Sequence, residues 1–209
     1  MALTQIEQGM LKDGILTADT AGRLKMADGF VNDAKISGVA ASKISGQLAD
    51  GNMSPGSVIQ VVQAFKSDTS TIAASSYTDI SGLSLSITPI SSSSKILLML
   101  HVQATQYQNT IQIRFVRNTT GIGVGDAVGS RVQSTVTAHN ASMDNNHQQT
   151  AFAAFYLDSP ATTSATTYKI QIKTQSGTTA YINRSANDAD NSDWSTRPTS
   201  SITVMEIAQ

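Results

Sequence analysis

Three groups of side chains in this sequence have the types, and in part the spacing, to do chemistry. His139, Asp144 and His147 share one segment, and His101 stands further upstream. Two imidazoles and a carboxylate would make a metal site if they converged. Their spacing matches no zinc pattern, and nothing local fixes them on one face, so the reading is of solvated loop histidines with no metal. Asp188, Asp190, Asn191 and Asp193 open like a calcium loop. Such a loop needs glycine at its sixth position and a bidentate glutamate at its twelfth. Here Asp193 and Thr199 stand there. Gly121, Gly123 and Gly125 alternate as in a phosphate loop. That chemistry requires a strand before the glycines and a helix after them, with a Lys-Ser/Thr pair, and none of this follows. A connection between strands is expected instead. There is no Gly-x-Ser-x-Gly elbow. Acids are few and lie mostly in polar segments, so a glycosidase-type carboxylate pair is a minor option. The expectation is a protein that is not an enzyme and carries no cofactor.

Aromatic residues in polar segments are the remaining handle. Trp194, the single tryptophan, lies in Asp190-Asn191-Ser192-Asp193-Trp194-Ser195-Thr196-Arg197, and Tyr107 lies in Gln106-Tyr107-Gln108-Asn109. An aromatic face beside amides, acids and a guanidinium suits a sugar ring and its hydroxyls. Trp194, Tyr107, Asp193, Arg197 and Asn146 are therefore the candidate contacts to a carbohydrate. The competing reading has Trp194 folding back to pin its own loop, since large aromatics are on average well buried.

The elements that must position these groups divide the chain near Met53–Gly56. The sequence has 209 residues, 40% of them hydrophobic, and only 14% charged, against roughly a quarter in an ordinary globular chain. Net charge is −1, which gives no field to draw nucleic acid or an anionic membrane. There is no cysteine, which removes disulfides, thiolate metal sites and cysteine nucleophiles together. No apolar run reaches the ~18 residues that would span a bilayer as a helix. The N-terminus lacks the pattern of a signal peptide, so synthesis and assembly in a cytoplasm are expected.

Residues 1–56 read as a stem. Asp13-Gly14-Ile15-Leu16 resembles Asp28-Gly29-Phe30-Val31, and Lys35-Ile36-Ser37-Gly38 recurs as Lys43-Ile44-Ser45-Gly46. Asp-Gly is a turn signal, and one or two apolar residues between turns cannot build a core. Short repeats of this kind become stable by winding against copies of themselves. Ahead of them Leu3, Ile6, Met10 and Leu11 fit one face of a short amphipathic helix, a candidate anchor onto a larger assembly.

Residues 57–209 read as a β-rich head. Leu83, Leu85 and Ile87 alternate with Ser84, Ser86 and Thr88, and Tyr168, Ile170 and Ile172 alternate with Lys169, Gln171 and Lys173. These are half-buried antiparallel strands, apolar inward and polar outward. Lys95–Ala104 and Phe152–Leu157 differ, carrying apolar residues on both faces. Such strands need a second cover, from a loop of the same chain or from a neighbouring subunit, and a neighbour is the favoured reading. The strands expected are 58–66, 77–88, 95–105, 110–117, 130–138, 149–157, 166–175, 178–183 and 201–208, the last paired close to the first. Their number and spacing suit a jelly-roll-like antiparallel β-sandwich.

The pattern resembles the tail- or head-fibre proteins of tailed bacteriophages, of the kind found in marine and cyanobacterial phages. The residues that carry the likeness begin with Met1-Ala2-Leu3-Thr4 and the two stem repeats, and continue through Pro55-Gly56-Ser57-Val58-Ile59-Gln60-Val61-Val62-Gln63. They close with Ser86-Ile87-Thr88-Pro89, Ser94-Lys95-Ile96-Leu97 and Ser201-Ile202-Thr203-Val204-Met205-Glu206. The resemblance implies a homotrimer on the tail or capsid surface of a virion. Its N-terminus would dock on other virion proteins and its head would face a host-surface polysaccharide. It carries no catalytic motif, no nucleic-acid partner and no membrane insertion. The alternative is a decorating fibre with no specific receptor.

Overall fold

The computed structural model describes residues 16–18, 24–26, 53–106, 109–139, 149–193 and 195–209. The chain divides into two units, Met1–Gln47 and Leu48–Gln209. In the first, β1 (Leu16–Ala18) and β2 (Leu24–Met26) pair antiparallel, with Leu16 opposite Met26. The anchor residues Leu3, Ile6, Met10 and Leu11, and both Lys-Ile-Ser-Gly repeats, lie outside the described residues.

The second unit is built almost wholly of antiparallel strands. One sheet runs β3 (Val58–Lys66), β13 (Ser200–Ile207), β6 (Lys95–Gln106), β10 (Thr150–Asp158). Two short strands prolong it. β4 (Ser70–Ala73) continues the line of β3, and β12 (Thr179–Ile182) stands above β13 and pairs with both β4 and the end of β6. The facing sheet runs β5 (Thr78–Ile87), β11 (Thr166–Thr174), β7 (Thr110–Arg117). Its outer edge is shared by β8 (Thr120–Ile122) on one half of β7 and β9 (Val136–His139) on the other.

The pairings are nested. β3 pairs with β13, β5 with β11, β6 with β10, and β7 with β8 and β9. A long hairpin folded over so that its pairs alternate between two sheets gives this order, which is that of a jelly roll. The sandwich-like β head expected from the sequence is therefore what the chain forms.

The alternation explains why. Ile96, Leu98, Leu100 and Val102 point inward from β6 and meet Ile113, Phe115, Tyr168, Ile170 and Ile172 of the facing sheet. One irregularity matters. Ile80 and Leu83 are both buried although three residues apart, and the register with β11 shifts between them. β5 carries three more residues than β11 across this shift, and Gly82 within it sits at φ +85°, a conformation glycine adopts without the Cβ penalty.

Three expectations need correction. Residues 130–135 are not strand; Gly125 N donates to Ser134 O, Gln133 Nε2 to Gly125 O, and Val132 stays exposed, so the segment closes on itself as a loop. β4 was not foreseen, because Ile72 is the only large apolar residue in it. The glycine segment is not wholly a connection. Thr120–Ile122 pairs with β7, and Gly123 turns at φ +61° beneath Tyr156, whose ring stands 2.8 Å from where a Cβ would be.

Candidate functional site

The head has two distinct ends. At one, the chain enters beside its own C-terminus: Gly56 N donates to Ala208 O and Ala208 N to Ser57 O, each at 2.9 Å. Glu206, fully buried there, accepts from Ile90 N at 2.8 Å and Gln60 Nε2 at 2.5 Å. Burial raises the Glu206 carboxyl pKa, but these donors outweigh it and hold it below the usual glutamate range.

At the other end lie the connections that carry the candidate contacts. Gln106 and Asn109 flank the β6–β7 connection, and His139 and Gln149 flank the β9–β10 connection. The segment between β12 and β13 leaves the sheet after Ile182 and returns at Ser200. Between these points it crosses the outer face of β6, for Gln149 Nε2, beside β10, donates to Thr196 Oγ1 at 2.8 Å. Thr105, an outward position on β6, is only 2% exposed beneath it. Of the five candidate contacts Asp193 and Arg197 are in this segment; Trp194, Tyr107 and Asn146 lie outside the described residues.

Asp188, Ala189, Asp190, Asn191, Ser192, Ser195, Thr196 and Arg197 line an open cavity of about 340 Å³. Its frame is local. Asp188 takes φ +51°, and its carboxylate is held between the guanidiniums of Arg197 and Arg184, the latter at 3.5 Å. The hydrogen bond from Arg197 keeps its pKa below the ordinary aspartate value against a small opposing desolvation, with Arg184 assisting through space. Arg184 in turn stacks 4.4 Å from the Tyr181 ring centroid, which ties the segment to β12. Asn191 Oδ1 accepts from Asp193 N at 2.8 Å, and Ser195 N donates to Asn191 O at 3.1 Å. The resulting rim offers carboxylates, an amide, hydroxyls and a guanidinium, an inventory suited to a hydroxyl-rich ligand.

The arrangement does not suit calcium. Asp188, which would be the first ligand, is already neutralised by two arginines. Among the described residues no three metal-binding side chains come together. His139 is exposed and shares a 2.8 Å hydrogen bond with Thr110 Oγ1, while His101 lies on the other sheet beside Gln103; Asp144 and His147 lie outside the described residues. Among the described residues no helix is long and apolar enough to cross a membrane.

Sequence reasoning named Asp193 and Arg197 but missed Arg184, Tyr181 and Gln149, which hold the segment in place. The available signal was the pair of arginines flanking the acidic run.

No protein-family model matches the chain, and no curated protein does. Among solved structures it is similar to a chain from the structure of infectious bursal disease virus, Gx strain. The two are 14% identical with a TM-score of 0.37, over 79% of this chain and 42% of that one, so the chain spans less than half the viral chain's length.

Proposed function

We propose that this chain is a virion structural protein: a homotrimeric fibre of a tailed bacteriophage, docked on the tail or capsid through its N-terminus. Its β-sandwich head binds a host-surface glycan. The observation that supports this reading best is the polarity of the head. The chain enters at Gly56–Ser57, beside Ala208, while the polar cavity around Arg197 and the strand ends flanking the other candidate loops occupy the remote half. Several weak copies of such a site on one particle would gain avidity without a tight single site.

The test is adsorption of the full-length protein to host cells and to their purified surface polysaccharide. Trp194→Ala and Arg197→Ala should each weaken binding with the fold unchanged. A second reading, a decorating fibre with no receptor, is favoured by the saturation of Asp188 by its own arginines. Wild-type protein that binds neither cells nor polysaccharide would select it.

A further inference from the structure

On the outer face of the first sheet Lys95 stands in the row nearest the point where the chain enters, and the rows beyond it are largely apolar. Across the four strands Val61, Met205, Leu97 and Leu157 stand in one register row. The next row is Gln63, Thr203, Met99 and Phe155, and the next is Phe65, Ser201, His101 and Ala153. Phe155 is 72% exposed, Phe65 60%, and Val61 and Leu157 54% each. The outer face of the second sheet is of another kind. There Asp79 pairs with Lys169 at 2.7 Å and Arg114 bonds Gln171, an ordinary solvated surface. Among the described residues, the segment between β12 and β13 lies over Thr105 in the remote half of the first sheet, and none lies over the Val61, Gln63 and Phe65 rows.

We propose that further copies of this chain cover it, the β10 column of one head packing against the β3 column of the next around a threefold axis. This deepens the homotrimer in the reading above by naming its surface, and it rests on that reading. Three observations carry it. The three rows hold no acid and no lysine, so like copies meet without repulsion. The bulk lies at both edges, Phe155 and Leu157 on β10 and Val61 and Phe65 on β3, while Thr203, Ser201 and His101 occupy the middle of the upper rows. A twofold face-to-face contact would bury that polar centre; a ring joins apolar edge to apolar edge and leaves the centre facing the axis. The area also fits. Aromatic side chains present on the order of 200 Å² each, so these exposures and the half-exposed neighbours sum to roughly 600 Å². That is at the upper end of the largest apolar patch a typical monomer leaves uncovered, and a ring shares it between two contacts.

The absence of native cysteine makes the test direct. Two double variants of the full chain, Phe65→Cys with Phe155→Cys and Val61→Cys with Leu157→Cys, are oxidised and run without reductant. β3 and β10 are three strand spacings apart, about 14 Å. A disulfide requires Cα atoms within about 7 Å, so any bond formed joins two chains. Covalent trimers from at least one double variant, and none from the single variants, are the expected result. The Phe155→Cys thiol should also react with a maleimide at least tenfold more slowly than a Thr163→Cys control on the exposed β10–β11 connection.

Monomer bands from both double variants overturn the proposal. Fast labelling would then show a bare face, and slow labelling a face covered by the chain itself. Covalent dimers from the Phe155→Cys single variant also overturn it, in favour of a twofold contact. Light scattering on the same samples separates the failures. Three chains without cross-links move the contact elsewhere and leave the fibre reading intact, whereas one chain removes the homotrimer with it.

Discussion

Ser200 Oγ donates to Asn183 Oδ1 at 2.6 Å, and both residues are fully buried. Around this bond the first sheet is stitched where its lines of strands break. Asn183 Nδ2 donates to Lys66 O and Asp68 O, each at 3.0 Å, bridging the gap between β3 and β4. Asn183 N donates to Gln103 O, and Gln103 N donates to Ser200 Oγ, so β6 is tied to both β12 and β13. Asn183 sits at φ +57°, a region asparagine tolerates better than most residues. Ser200→Ala should cost about 1–3 kcal/mol, because two buried partners lose their bond. Asn183→Leu should cost more, and the double variant less than the sum, since one network is broken once. Urea unfolding of the four proteins gives the comparison.

Asp158, buried at the end of β10, takes Arg117 Nη1 at 2.9 Å on both oxygens and Tyr168 Oη at 2.7 Å. Arg117→Ala leaves an uncompensated carboxylate and should destabilise by about 3 kcal/mol or more, whereas Tyr168→Phe removes one of several donors and should cost about 1 kcal/mol. Equal losses would mean that Asp158 is solvated.

The same tyrosine sets the alkaline limit. Burial first, and then the Asp158 carboxylate it bonds, push the Tyr168 phenol far above its ordinary value of 10.0. Its contribution is complete below that value and declines as pH rises through it, because the unfolded chain releases a proton the folded chain keeps. Tyr168→Phe should flatten the fall in melting temperature above about pH 10.

The acid side has the opposite sign. Glu206 is held below its ordinary 4.5, so its contribution is present above that pH and is lost as pH falls through the folded value. Glu206→Gln should lower stability at pH 7 by about 1–3 kcal/mol and reduce the slope of stability between about pH 5 and 3. A slope identical to wild type would remove Glu206 from the acid transition.

Gly82→Ala should cost about 1–2 kcal/mol although the nearest atoms, on the Lys66 side chain, leave room at 3.7 Å. The penalty comes from φ alone. Ser84→Ala, in the same strand but in ordinary strand geometry and exposed, should shift the urea midpoint little.

What the sequence made legible was alternation. β5, β6, β7, β10 and β11 announce themselves because every second side chain enters one core, and the two-sided patterns of β6 and β10 correspond to real outward apolar residues, Leu97, Met99, Phe155 and Leu157. What stayed hidden depends on single residues or on distant partners. β4 has one large apolar side chain, β8 is held by backbone bonds around glycine, and Asn183 does its work alone. In the candidate site Arg197 could be named for its type. Its pairing with Asp188 could not, since that requires a left-handed turn and a segment laid across β6.

The bonds from Gly56 and Ser57 to Ala208 have a mechanical consequence. β3 begins where β13 ends, and the two run side by side from Val58 to Lys66. Tension applied between Ser57 and the remote loops is directed along these strands. The ladder between β3 and β13 is then loaded in shear, all its rungs bearing at once, and is not unzipped one bond at a time. A head held at Ser57 and loaded at its far end is oriented to resist being pulled apart.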